Sequence, residues 1–423
     1  MYNIIMYLIQ AGVAIASLFN EKVRKMWKGE RECFKILEQQ VDPSAKYAWF
    51  HAASLGEFEQ GRPIMERMRR EYPEYKILLT FYSPSGYEVR KNYEGADIIC
   101  YMPIDTVGNA RRFLRLVRPS LAFFIKYEFW YNFLHILKHR NVPTYSVSSI
   151  FRPNQVFFRW YGRNYGHVLR CFTKFFVQNE TSMRLLANIG ITDAEVTGDT
   201  RFDRVLQIKD AAKQLPVVER FVGSSSKVFI VGSSWEPDED IYLPYFKDKD
   251  WKIIVATHVV NDTRIAKLRQ RFEEQGKKAL LYSEAQQQST DSKPQNADAQ
   301  QQNADADVLI INCYGLLSSI YRYGNVAYVG GGFGVGIHNL PEAAVWDVPV
   351  FFGPNNQRFQ EAQDLKENGG GIEIHGYEDF AARMDDLMAH PEEIVRRGKI
   401  AGDYVNGRAG ATEKILQSVV FPG

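Results

Sequence analysis

Cysteine is scarce: four residues, Cys33, Cys100, Cys171 and Cys313, lie scattered through a chain of 423. No CxxC spacing occurs, which argues against a disulfide framework or a zinc knuckle and fits a reducing compartment. Charge of one sign is also lacking. The formal net charge is +2, so a basic surface that would coat nucleic acid is not indicated. The dinucleotide fingerprint is absent: GxGxxG does not occur in a first strand-to-helix turn, and no acidic residue ends a following strand at the proper distance. The first nineteen residues, MYNIIMYLIQAGVAIASLF, carry no charge, yet Asn3, Gln10 and Ser17 make them a poor spanning helix. Lys22, Arg24, Lys25, Lys28 and Arg31 follow the apolar stretch, whereas a secretory signal places its positive charges before it. Residues 1–30 therefore read as an anchor in or dipping into an inner leaflet, its basic flank on anionic lipid. An ordinary helix packed on the protein body is the alternative. Neither reading takes the rest of the chain out of the cytoplasm.

The length suits two domains. From about residue 46, apolar runs at 47–53, 76–82, 96–102, 121–129, 142–150, 174–180 and 194–200 alternate with helical-period stretches. A second series runs from KVFIVGSS (227–234) to GGIEIHG (370–376). Runs this apolar predict parallel strands buried on both faces and covered by helices. The weakest stretch, about 203–226, separates a domain over 31–210 from another over 211–423. The helical tail after Tyr377 caps the second domain or crosses back to the first. The polar, low-complexity tract 285–306 has no apolar residue larger than alanine and is expected to be a disordered insertion.

Ligands of such sheets sit at the carboxyl ends of strands. The run VAYVGGGFGVGIHNLPEAAVWDVPVFFGP (326–354) ends a strand in Gly330-Gly331-Gly332, where backbone can turn tightly and approach a ligand. His338-Asn339 then leads into a helix opened by Pro341 and Glu342, whose free N–H groups suit a phosphate. Glu342 is placed to accept from two ribose hydroxyls, or merely complements the helix dipole. Gly232, Ser233 and Ser234 end an earlier strand and could line the same phosphate; His258 ends the next one, as a ligand or a structural residue. In the first domain, HAASLGEFEQG (51–61) makes a tight turn at Ser54 and Gly56 before Glu57 starts a helix. That carboxylate can take a proton from an incoming hydroxyl, or simply complement the helix start. IKYEFWYN places Lys126, Glu128 and Asn132 at another strand end, Glu128 having either a raised pKa or a structural hydrogen bond. The stretch 148–165 mixes Arg152, Arg159 and Arg163 with aromatics, which suits an anionic lipid or a core-facing helix.

These segments together resemble the 3-deoxy-D-manno-oct-2-ulosonic acid (Kdo) transferases. HAASLGEFEQG is similar to their H-A-S-S-x-G-E, KYEFWYN to E-x-E-x-W-P-N, GDTRFD to G-N-x-K-F-D, and the glycine-rich stretch to G-G-S-F…G-G-H-N-x-L-E-P-A…G-P. The family's R-H-P-E reads ATHVVND here, its D-T-M-G-E reads NCYGLLS, and Ile337 replaces a glycine before His-Asn. The resemblance implies an α/β GT-B fold: two Rossmann-like parallel-sheet domains facing a cleft, with an N-terminal membrane-associated helix. It implies metal-independent transfer of Kdo from CMP-Kdo to a lipid A precursor at the cytoplasmic face of the bacterial inner membrane. No cofactor, metal or nucleic-acid partner is expected, CMP-Kdo being a substrate. Glu57 becomes the general base and Glu128 a second acidic residue near the acceptor, which Ser54, Gly56, Lys126 and Arg152 would help bind. Gly331, Gly332, His338, Asn339 and Glu342 become contacts of the cytidine nucleotide. The rival readings are GT-B enzymes that use a UDP-sugar, namely lipid-linked GlcNAc transferases, lipid A disaccharide synthases and UDP-GlcNAc epimerases. A membrane-tethered binding protein with a dead transferase fold would be expected to lack the base or the glycine loop, and both are present.

Overall fold

The computed structural model describes residues 2–212, 214–290 and 305–422, without the side chains of Tyr161, Arg163, Asn164 and 288–290. The chain divides into two compact units: residues up to Arg204 together with those from Arg408 onward, and Val205–Gly407.

The first unit is built on β1 (Lys46–Ala52), β2 (Tyr75–Phe81), β3 (Ile98–Tyr101), β4 (Leu121–Ile125), β5 (Thr144–Ser149), β6 (Lys174–Val177) and β7 (Ala194–Val196). They form one parallel sheet in the order β3-β2-β1-β4-β5-β6-β7. Successive side chains of β1 alternate between the two faces. Tyr47 and Trp49 enter one core cluster, Ala48 and Phe50 the other. Trp49 keeps its only polar atom satisfied by donating Nε1–H to Thr80 Oγ1 at 2.8 Å. The run expected as a strand over 121–129 leaves the sheet after Ile125, because Lys126 adopts a left-handed φ of 63°.

The second unit carries β8 (Val228–Ser234), β9 (Lys252–Thr257), β10 (Ala279–Leu281), β11 (Val308–Ile311), β12 (Val326–Val329), β13 (Val350–Phe352) and β14 (Gly371–Glu373). This sheet is also parallel, ordered β10-β11-β9-β8-β12-β13-β14. In each sheet the chain first builds outward on one side and then returns to the other. The reversal falls between β1 and β4 in the first unit and between β8 and β12 in the second. Loops leave such a switch point in opposite directions and open a crevice at the strand ends.

The tract 285–306 needs correcting. Its first six residues belong to helix Tyr282–Thr290, in which Tyr282 and Ala285 are buried. Composition misled because two small contacts are enough to hold a glutamine-rich turn against the sheet edge. Residues 291–304 of that tract lie outside the described residues. At the N-terminus, helix Tyr2–Ala16 precedes helix Glu21–Gln40. The first is clipped to the first unit by Tyr2 Oη donating to Asp105 at 2.7 Å and Asn132 Nδ2 donating to Asn3 at 2.9 Å, with Met6 buried. Among the described residues no helix is long and apolar enough to cross a membrane.

The chain end returns to the first unit. Ile415, Leu416 and Val419 join its core, and Phe421 stacks on Tyr72 at 3.9 Å. Asp203 fastens this segment by accepting from Gly410 N (2.5 Å), Thr412 N (2.6 Å) and Thr412 Oγ1 (2.6 Å), which caps helix Ala411–Ser418. Asp203→Ala is expected to cost roughly 2 kcal/mol, as loss of charged hydrogen bonds to a helix start does. Amide exchange in residues 411–418 should quicken more than in β1; equal protection in mutant and wild type would remove Asp203 from this role.

Candidate active site

The first unit gathers its chemistry at the β1/β4 switch. Ser54 is the N-cap of helix Leu55–Glu71, and Glu57 at its third position accepts from Ser54 N (2.9 Å) and Ser54 Oγ (3.2 Å). This reciprocal cap fixes the Glu57 carboxylate at the strand end. Across the switch, Glu128 accepts from Trp130 Nε1 at 2.7 Å and meets His51 Nε2 at 3.2 Å. His51 is fully buried, and its Nδ1 lies 2.9 Å from Thr80 Oγ1. Lys126 is anchored through its backbone, its N–H donating to Val147 O at 2.8 Å and its carbonyl accepting from Ser149 Oγ at 3.0 Å.

Burial raises the Glu57 pKa above the usual carboxylate value, and the charge of Glu128 adds to the rise; His51, Lys126 and the Ser54 bond oppose it. Asp199, buried nearby, is held below the usual range against its own desolvation by Arg201, Gln60 and Lys126. Arg152 is exposed and reaches this group through Tyr127, to whose hydroxyl its Nη1 donates at 3.3 Å. The structure thus brings Ser54, Glu57, Lys126, Glu128 and Arg152 to one region, while Gly56 is exposed with open space about its Cα. The basic-aromatic stretch divides: Phe151 and Phe157 enter the core, whereas Trp160 is 85% exposed beside exposed Arg152 and Arg159. The Arg163 side chain lies outside the described residues.

Several participants here carry no motif signal of their own. Tyr82 packs against Trp130 with centroids 4.9 Å apart and ring planes inclined by 56°, and it lies within electrostatic reach of Glu128 and Glu30. Glu30, on helix Glu21–Gln40, is buried and its pKa is pushed up to about 8 by that burial.

The second unit presents a different surface at β8/β12. His338 and Asn339 follow the loop that leaves β12, and Glu342 accepts from Asn339 Nδ2 (2.7 Å) and Ser318 Oγ (2.8 Å). His258, exposed at the end of β9, stacks on His338 with centroids 4.2 Å apart. Trp235, absent from the sequence-based candidates, joins both rings.

Three expectations change. Ser234 is 1% exposed and its hydroxyl meets Tyr242 Oη (3.0 Å) and Glu239 (3.4 Å), so it faces the core and not a phosphate. A Cβ on Gly232 would strike Tyr321 Oη at 1.7 Å, and one on Gly332 would strike the Gly353 backbone at 2.5 Å. These two glycines make room for protein. The helix opened by Pro341 is a single turn, Pro341–Ala344, too short to carry much of a helix dipole. Ser233 keeps its place in the candidate region, half-buried at a left-handed φ of 53°.

Two doubly wound parallel sheets in succession make up the GT-B fold. UDP-GlcNAc 2-epimerase from Neisseria meningitidis shares the fold, with a TM-score of 0.62 at 14% identity over 88% of this chain and 98% of its own. So does Acinetobacter baumannii MurG, with a TM-score of 0.55 at 10% identity over 88% and 98%. Residues 27–204 match the family model described as 3-deoxy-D-manno-octulosonic-acid transferase. The Kdo transferase of Chlamydia trachomatis serovar D is 26% identical over 95% of this chain and 92% of its own length. That of Aquifex aeolicus is 24% identical over 82% and 87%. Residues 27–204 carry the Kdo transferase family domain, and over most of its length the chain is similar to Kdo transferases, which are glycosyltransferases.

Glu128→Gln removes one of the two influences that raise the Glu57 pKa. The Glu57 titration, followed by carboxyl NMR, should move down toward the ordinary carboxylate value. An unmoved titration would leave burial as its only cause.

Proposed function

We propose that the protein transfers Kdo from CMP-Kdo to a hydroxyl of a lipid A precursor, without a metal ion, with Glu57 as the general base. The observation that carries this reading is the Glu57 carboxylate, fixed by its cap at the β1 end and made more basic by its surroundings. As the acceptor oxygen attacks the anomeric carbon of Kdo, its proton passes to Glu57. The bond between that carbon and the CMP phosphate oxygen breaks, and CMP leaves with the electron pair. Lys126 lies within electrostatic reach of Glu57, and Arg152 is exposed nearby, so both suit an anionic acceptor. In the second unit Ser233, Gly331, His338, Asn339 and Glu342 would hold the nucleotide. Asn339 Oδ1, buried and without a hydrogen-bond partner among the described residues, is an acceptor awaiting a donor such as an amino or hydroxyl group.

Transfer is tested with CMP-Kdo made in situ and a tetra-acylated lipid A precursor, product masses being read directly. Glu57→Gln should lower turnover by about 10²–10⁴-fold with CMP affinity unchanged. The wild-type rate should fall as the pH drops through the raised Glu57 pKa, because the protonated acid cannot accept the hydroxyl proton. Unchanged turnover in the variant would sink the base assignment; stabilisation by UDP and not by CMP would favour a UDP-sugar enzyme. Chelator should leave the rate unaltered.

The same reading places the protein on an anionic membrane. Ile4, Ile5, Leu8, Ile9, Ile15, Leu18 and Phe19 are exposed, Phe19 to 86%, while Tyr2 and Met6 hold the helix to the protein. Lys22, Arg24, Lys25 and Lys28 follow directly. An apolar stripe beside a basic segment suits the interface of an anionic leaflet. Replacing Ile4, Leu8 and Phe19 together by Ser should release the protein from anionic vesicles in a flotation assay, with CMP binding retained. Full retention on the vesicles would move the contact to the exposed Trp160 region.

A further inference from the structure

Trp235 caps helix Glu236–Phe246 at the end of β8, its backbone N–H donating to Asp238 Oδ2 at 2.9 Å. Its indole Nε1–H donates to His338 Nε2 at 3.0 Å, and the two ring planes lie 8° apart. His258 stacks against both rings, with centroids 4.8 Å from Trp235 and 4.2 Å from His338. An indole N–H can only donate. The imidazole nitrogen facing it must therefore be bare, and the ring's proton must sit on Nδ1. A second proton would set two N–H groups against each other. Among the described residues none forms a hydrogen bond with His338 Nδ1.

Resting on the nucleotide reading of this site, we infer that Trp235 is the positioning residue that fixes His338 as the Nδ1–H tautomer, a constant hydrogen-bond donor to a nucleotide phosphate oxygen and not a proton carrier. The surroundings agree. Burial and the neighbouring His258 push the His338 pKa down to about 4. Two carboxylates stand on adjoining elements, and both are committed elsewhere. Asp238 binds Gly331 N at 2.8 Å, Trp235 N at 2.9 Å and Tyr328 Oη at 2.9 Å. Glu342 binds Asn339 and Ser318. His258 has its own pKa lowered by burial, so its ring does not bring a charge to the stack at neutral pH.

The test uses the full chain labelled with 15N-histidine, the His338 signals being assigned by their loss in H338Q. The wild type should show a protonated Nδ1 and a bare Nε2 throughout the neutral range. CMP should move the Nδ1–H signal, and cytidine, which lacks the phosphate, should not. W235F keeps an aromatic ring without the N–H. In it the tautomers should mix, and CMP affinity should fall several-fold, because part of the population then turns a bare Nδ1 toward the phosphate. A proton on Nε2 in the wild type, or a W235F protein with the wild-type tautomer, overturns the positioning role. The wild-type spectrum decides the tautomer even if W235F does not fold. CMP binding that leaves Nδ1–H unmoved overturns the donor role. No CMP binding at all overturns the nucleotide reading, and is told apart because the tautomer is read without ligand.

Discussion

A parallel sheet delivers the carboxyl end of every strand to one edge, and the polar residues of this chain depend on that constraint. His51 stands at the end of β1 and Glu57 just after it, while Lys126 and Glu128 follow β4, some seventy residues further on. They meet because β4 pairs with β1 and not with its predecessor β3. The second unit repeats the device with β8 and β12, which brings Trp235 to His338 across about a hundred residues. Keeping such strands parallel requires crossover helices and apolar side chains on both faces. The continuous apolar runs are thus the condition for the polar edge.

The two edges solve different electrostatic problems. In the first unit, carboxylates stand close together in a half-buried region. Desolvation and mutual repulsion make Glu57 more basic, while Lys126 and His51 limit the rise. Glu128 is held by the Trp130 indole and the His51 ring, so its position does not depend on solvent. A base benefits from this balance, since a carboxylate stabilised too well would not accept a proton. The second unit avoids net charge: its histidines have lowered pKa values, and Asp238 is spent on backbone N–H groups and a tyrosine. Neutral donors held in fixed directions suit a group that already carries the charge, as a phosphate does.

The strands were legible in the sequence because a buried parallel strand announces itself as a short apolar, β-branched run. Lys126 was legible as a strand-end residue, but not its left-handed backbone, which ends β4 early. Side-chain direction was hidden where the ladder is irregular. Ser234 looks like its neighbour Ser233 in sequence, yet the register shift between Val231 and Ser234 turns it into the core. Trp235 carried no motif, since only the fold brings it to His338. Tyr82 and Glu30 were invisible for the same reason, each belonging to an element whose sequence speaks only of burial. The stretch after Phe151 divides in a way its composition does not reveal: Phe157 faces the core and Trp160 faces out.

The glycines of the glycine-rich loop answer first to packing. They suggested a backbone opened to a ligand. Gly332 instead packs against Gly353, and Gly331, at a φ of 95°, leaves space that a Cβ would take from Gly336 O at 2.3 Å and from the His338 ring at 3.1 Å. A side chain at Gly331 would push the imidazole away from the Trp235 N–H, even with every polar residue of the site still present. The left-handed φ excludes most residues from that position in any case. The glycine therefore acts on the ring's placement, and through it on the hydrogen bond between the ring and the indole. Sequence pattern and site chemistry are thus joined through packing, with the backbone's small size serving a neighbouring side chain first.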